Sequence, residues 1–133
     1  MRAYFGSDQD GPFVSLSDGG RVLAFERGGP LEDCLRLYAQ AIETAELSGR
    51  APDEIAVDAG PGGFSAVRRR VAAAASLAWA FGVPVAPVSG LSAEKAALLP
   101  SSRFAETRRI VPKYDKPPNI TKSKKPWNAV RKR

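Results

Sequence analysis

The stretch "VDAGPGGFSAVRRRVAAAASLAWAFGVPV", residues 57–85, decides how the chain folds. It leaves a β-branched segment, crosses a turn with glycine at 60, 62 and 63, runs through an alanine-rich helix and meets Gly82 before a second apolar segment. Upstream, "DEIAVDAG" (53–60) is bounded by Pro52 and Gly60 and carries Ile55 and Val57, so its length and branching predict a buried strand. Downstream, "VPVAPVS" (83–89) predicts another, with Gly82 ending the helix between them. A strand, helix and strand of this size favour a parallel pair joined by a right-handed crossover.

Working outward, "RAYFGS" (2–7) and "PFVSLSDGGRVLAFE" (12–26) predict three antiparallel strands, the last two joined by a hairpin at Asp18-Gly19-Gly20. A helix is expected from Pro30, a residue suited to the first helical position, to about Leu47, with Gly49 as its stop. Leu31, Leu35, Tyr38, Ile42 and Ala45 recur at three- and four-residue steps and predict the face that covers the sheet. "LSAEKAALL" (91–99) predicts one more short helix before Pro100. The order is that of an α/β, ribonuclease H-like (actin-like ATPase) domain: three antiparallel strands, then parallel strands, with helices packed on the sheet.

Composition narrows the chemistry. A chain of 133 residues with 44% hydrophobic content predicts one core. Neither a membrane span nor a secretory leader is readable, and the expected location is the cytoplasm. With no histidine and a lone Cys34, the common zinc ligand sets and the commonest general base are missing, so no metal and no cofactor are expected. Charge divides the chain into an expected domain at 1–102, with nine Lys/Arg against twelve Asp/Glu, and a Pro-containing tail at 103–133, with eleven against two. In that tail Lys122, Lys124, Lys125, Arg131, Lys132 and Arg133 are candidates for gripping phosphates, and Trp127 for stacking on a base.

The glycine turn matches neither of two familiar phosphate loops. No Lys-Ser or Lys-Thr follows the glycines, as a P-loop requires, and the spacing G-P-G-G-F-S-A is not that of a dinucleotide fingerprint. The reading that remains is a strand-to-helix turn with Ser65 as N-cap, whose free amides could meet an anion. In the following helix, 100° steps place Val71, Ala74, Ala75, Ala78 and Phe81 toward the sheet, with Leu77 at the edge. The opposite side carries Ala72, Ala73, Ser76 and Ala80 where charge is expected, which predicts that a second helix covers it. Arg68, Arg69 and Arg70 crowd the first turn, where the helix dipole disfavours cations.

"AGPGGFSAVRRRVAAAASLAWAFGVPVAPVSGLSA" resembles the signature of the bacterial TsaB (YeaZ) family of tRNA threonylcarbamoyladenosine biosynthesis, a G-P-G-[SG]-F-[ST]-x-x-R turn leading into an alanine-rich helix. Gly60, Pro61, Gly62, Gly63, Phe64, Ser65 and Arg68 match that motif. "VPKYDKPPNITKSKKPW" resembles the family's closing P-x-Y-L-R segment, with Asp115 and Lys116 in place of leucine and arginine. The resemblance implies an actin-like domain that does not catalyse. It would pair through its first two helices with a TsaD-type catalytic subunit, and possible further partners are a TsaE-type ATPase and tRNA. Leu35, Tyr38, Ala72, Ser76 and Ala80 are the seam residues expected from helical phase, and the same face could support a homodimer.

The chain also departs from the family. A second domain is expected to be missing, because only about a dozen residues separate Leu98 from the closing segment. The first strand's usual Asp-Thr pair is replaced by Gly6-Ser7, and Arg27 to Pro30 stand where a histidine is often found. Two rivals from other classes follow from the residues alone. One is a nucleic-acid-binding module built on the basic tail. The other is a magnesium-dependent ribonuclease H-like nuclease using Asp8, Asp10 and Asp58, beside the older label of peptidase.

Overall fold

The computed structural model describes residues 1–29 and 33–104. Pro30, Leu31 and the tail residues from 105 onward lie outside the described residues. Strand β1 (Arg2–Asp8) pairs antiparallel with β2 (Gly11–Asp18), and β2 with β3 (Arg21–Arg27). Gly19 and Gly20 close that second hairpin at φ of 60° and 81°, the doubly positive pair that matches the strand twist. Helix α1 (Cys34–Thr44) leads to β4 (Glu54–Asp58), which runs parallel to β1. Helix α2 (Phe64–Phe81) crosses to β5 (Val85–Val88), parallel to β4, and α3 (Ala93–Ala97) precedes a 3-10 turn at Ser101–Arg103. The five-stranded order β3-β2-β1-β4-β5 is the expected antiparallel meander continued by parallel strands.

Strand alternation assigns the two faces. Ala3, Phe5, Val14, Leu16, Ile55 and Val57 point toward α1 and α2 and form the larger core with Leu37, Tyr38, Ala41, Ala74 and Ala78. Tyr4, Phe13, Ala56, Ala86 and Val88 point the other way and are covered by Ala93 and Ala96 of α3 and by Phe104. That second layer is held by Arg2. Its guanidinium pairs with Glu54 at 2.6 Å, donates to the carbonyls of Ala96 and Ala97 at 2.8 and 3.1 Å, and lies 4.5 Å from the centre of the Phe104 ring.

Element ends move where caps outweigh the apolar pattern. Helix α1 begins at Cys34 because Asp33 caps it, accepting from the Leu35 amide at 2.9 Å, and it ends at Thr44, short of Leu47. Helix α2 is capped by Gly63, so Ser65 sits inside its first turn and exposed. The expected Ser65 cap is therefore corrected: the cap and the start of α2 lie two residues earlier, and no side chain caps it. Its last turn closes on Gly82 at φ 66°, as expected.

Candidate functional site

The site is built where β4 turns into α2. Asp58, at the end of β4, is buried, and its carboxylate accepts from the Gly60 amide at 3.0 Å. Gly60 takes φ 98°, a conformation glycine tolerates, and the Gly60–Pro61 peptide is cis. Arg70 reaches back from α2, buried to 4% exposure, and its Nε donates to the Asp58 carbonyl at 3.1 Å. A Cβ at Gly62 would lie 3.0 Å from Val67 Cγ2 and 3.7 Å from an Arg70 guanidinium nitrogen, so this glycine lets the turn close over the arginine. The family motif's arginine corresponds to Arg68, which is exposed; the cation that organises the turn is Arg70. Sequence reading placed Arg70 only in a basic cluster, and the signal it missed is that position 70 lies one turn after Val67 on the inward stripe. Pro61, Gly63, Phe64 and Ser65 are exposed, Gly62 is half-buried and Gly60 is buried.

The outer flank of α2 lies beside α1. Ala72, Ser76 and Ala80 are exposed, as is Leu35 on α1 at 40%. Between the helices runs a groove of about 360 Å³ lined by Asp33, Leu35, Arg69, Ala72 and Ser76, with Cys34 and Ala73 at its floor. Burial pushes the Cys34 thiol up from its ordinary range, which keeps it protonated. Four of the five expected seam residues share this flank. Tyr38 does not: it is buried and its ring stacks on Phe5 with centroids 6.2 Å apart, because the inward stripe of α1 runs through Cys34, Leu37, Tyr38 and Ala41. On α2, Ala73 belongs to the core, whereas Ala75 and Phe81 are exposed. The helix is rotated toward α1 relative to the stripe expected from the sequence.

One residue outside that expected seam dominates the flank. Trp79 is 88% exposed. It lies three positions after Ser76 and seven after Ala72, hence on the same side of the helix, and that spacing is legible in the sequence.

The carboxylates considered for metal chemistry are differently engaged. Both oxygens of Asp8 are held by Arg27, one at 2.8 Å, and Oδ1 also accepts from the Asp10 amide at 2.9 Å. Asp10 occupies the turn between β1 and β2. Among the described residues no group of three or more Cys, Asp or Glu could hold a metal ion. At Gly6, a Cβ would lie 2.5 Å from Phe13 Cζ and 2.7 Å from Tyr4 Cε2, so aromatic rings fill the space a side chain would need. The Tyr4 hydroxyl donates to the Leu91 carbonyl at 2.8 Å, and burial, reinforced by Asp58, holds it protonated well above the usual tyrosine range.

Arg27 holds the Asp8 carboxyl below the usual carboxylate range through its hydrogen bonds. A depressed folded-state pKa contributes stability above the unfolded value, about 4, and loses it as pH falls through the folded value. Asp8→Asn is therefore expected to lower the urea midpoint slightly at pH 7, by an amount that shrinks as pH falls below about 4. A constant offset across that range would contradict the pairing.

With this geometry in hand, a family model described as "TsaD: tRNA N6-adenosine threonylcarbamoyltransferase" matches residues 31–104, more than half of the chain. The chain belongs to this family. Among solved structures, YeaZ from Pseudomonas aeruginosa matches with a TM-score of 0.55 and 29% identity over 68% of the chain. An uncharacterized protein with similarity to peptidase YEAZ, also from Pseudomonas aeruginosa, matches with a TM-score of 0.54 and 28% identity over the same share. The chain spans 43% and 42% of those two proteins. No curated protein matches it. The chain is thus TsaB/YeaZ-like with a ribonuclease H-like fold, and the TsaD-family match runs from the residues just before α1 through the 3-10 turn. No helix among the described residues is long and apolar enough to cross a membrane.

Proposed function

We propose that this TsaB/YeaZ-like chain is a non-catalytic scaffold subunit that pairs with a TsaD-type catalytic subunit in N6-threonylcarbamoyladenosine modification of tRNA at adenosine 37, with a TsaE-type ATPase as a further partner. The observation that supports the reading most is the flank formed by Leu35, Ala72, Ser76 and Ala80, small or apolar residues exposed together on two neighbouring helices. A helix with small residues outward lets a partner helix approach closely, and an exposed apolar flank marks an interaction surface. The Gly60–Ser65 turn and Arg68 lie at the start of the same helix, where the positive end of the helix dipole and a cation suit an anion at the rim of such a contact. The test is co-expression with the TsaD-type protein of the same genome, followed by size-exclusion chromatography. Co-elution at one-to-one stoichiometry is expected; separate elution of two folded proteins would remove the reading.

The domain assignment of 1–102, followed by a basic tail at 103–133, belongs to this proposal. Lys122, Lys124, Lys125, Trp127, Arg131, Lys132 and Arg133 lie outside the described residues, and their part rests on charge: eleven Lys/Arg against two Asp/Glu in 103–133. Such a segment binds phosphate backbones in a salt-dependent way. Deleting 113–133 is expected to weaken tRNA binding and flatten its salt dependence. Unchanged affinity across a salt series would show that the tail does not contribute.

A further inference from the structure

We propose that a cavity between the β1–β2 turn and the first turns of α1 and α2 binds a short-chain carboxylate, with the Arg70 guanidinium as its anchor. The inference goes beyond the scaffold reading and is tested on the chain alone, so either can fail without the other.

Arg70 is a buried cation short of partners. It is 4% exposed, yet among the described residues its single hydrogen bond runs from Nε to the Asp58 carbonyl at 3.1 Å. No carboxylate among the described residues forms an ion pair with it, and that of Asp58 accepts from the Gly60 amide instead. A guanidinium stays charged at every working pH, and a buried charge without a counter-ion is costly. Every fully buried side-chain nitrogen or oxygen among the described residues has a partner, so the two terminal nitrogens of Arg70 touch accessible space. That space is a partly open cavity of about 160 Å³, lined by Ser7, Pro12, Cys34 and Ala66 together with Arg69 and Arg70.

The lining sets the chemistry of the ligand. A guanidinium presents parallel N–H donors that match the two oxygens of a carboxylate. Arg69 adds a second positive charge to the wall, and α2 brings its positive end there, with no acidic residue in its first turn and no side-chain cap. The Cys34 thiol registers this field: burial pushes it up, and Arg70 is the largest influence in the other direction. Pro12, Ala66 and the protonated thiol make the rest of the wall largely apolar. Such a surface suits a hydrocarbon stem and solvates a doubly charged phosphate poorly. A cavity of about 150 Å³ holds a benzene ring, so this one takes about six non-hydrogen atoms, the size of butyrate. A nucleotide is far too large.

The experiment is a titration of the full chain with sodium butyrate at constant ionic strength, followed by two-dimensional amide NMR. The signals of Ser7, Cys34 and Ala66 are expected to shift together and to saturate with a dissociation constant on the order of 1 mM, which a ligand of this size can reach. Butyramide keeps the shape, loses the charge and should not saturate. Inorganic phosphate should bind at least about tenfold more weakly than butyrate. Arg70→Met should abolish the butyrate shifts. Because that change also removes the tie between α2 and the Asp58 carbonyl, Ala66→Phe serves as a second variant: at an exposed position on the cavity wall, it should leave the circular dichroism unchanged and block butyrate. Shifts that never saturate, equal binding of butyramide, phosphate binding as tight as butyrate, or butyrate binding that survives Ala66→Phe or a folded Arg70→Met chain would each overturn the proposal.

Discussion

Replacing Arg2 with methionine should lower the unfolding free energy by about 3–5 kcal/mol, the range found when one member of a buried ion pair is removed. The substitution keeps the apolar stem and removes the guanidinium. Glu54, only 17% exposed at its side chain, then has no cation, and the Ala96 and Ala97 carbonyls at the end of α3 lose the guanidinium that ties them to β1. The Phe104 ring also loses the charge lying over it. The effect should be concentrated in residues 93–104, because α3 has five residues and cannot stand alone. Urea denaturation gives the total, and amide exchange shows where protection falls. Changing Glu54 to leucine in the same variant should recover part of the loss, since no buried charge then lacks a partner. A loss below about 1 kcal/mol would mean that Arg2 is not the tie between α3 and the sheet.

The second large effect is expected at the interface. Ala72 and Ala80 are exposed on the flank of α2, so glutamate at either position should fold normally. In the proposed complex with a TsaD-type subunit the same carboxylate would be buried without a cation, at a cost of several kcal/mol. Since 1.4 kcal/mol is a factor of ten in affinity, about 3 kcal/mol is a loss of some hundredfold, enough to abolish co-elution at micromolar concentration. Ser76→Ala removes only a hydroxyl and should leave the complex intact. If both glutamate variants still co-elute, the seam runs elsewhere.

Most of the architecture was readable because local chemistry and long-range pairing agree. Gly19-Gly20, the β-branched β4 and Gly82 each specify a backbone conformation on their own, and the sheet uses all three. Errors arose where two short-range preferences compete. A serine two residues beyond a double glycine reads as a cap, yet Gly63 takes the extended conformation and the helix starts one residue before that serine. Helical phase was less secure still. With alanine at four successive positions, the hydrophobic pattern of α2 hardly distinguishes one rotation from the next, so Ala73 and Ala75 exchanged places. Tyr38 was assigned both to the sheet-covering face and to the seam, and its ring packs on Phe5; Leu35, read into the same sheet-covering stripe, is the residue that stays exposed. Arg70 could not be separated from Arg68 and Arg69 by type, because what distinguishes it is the buried carbonyl of Asp58 twelve residues away. Trp79 was readable by spacing, and attention to small residues passed over the one large side chain among them.

The central claim is that a second polypeptide covers the flank of α2. Hydroxyl-radical footprinting of Leu35 and Trp79 tests it most directly, in the chain diluted until it is monomeric and again with the TsaD-type catalytic subunit in excess. Strong oxidation of both residues alone, falling sharply in the mixture while exposed Leu98 on the opposite face stays reactive, is the result the account predicts. Equal oxidation of Leu35 and Trp79 in both samples would contradict it.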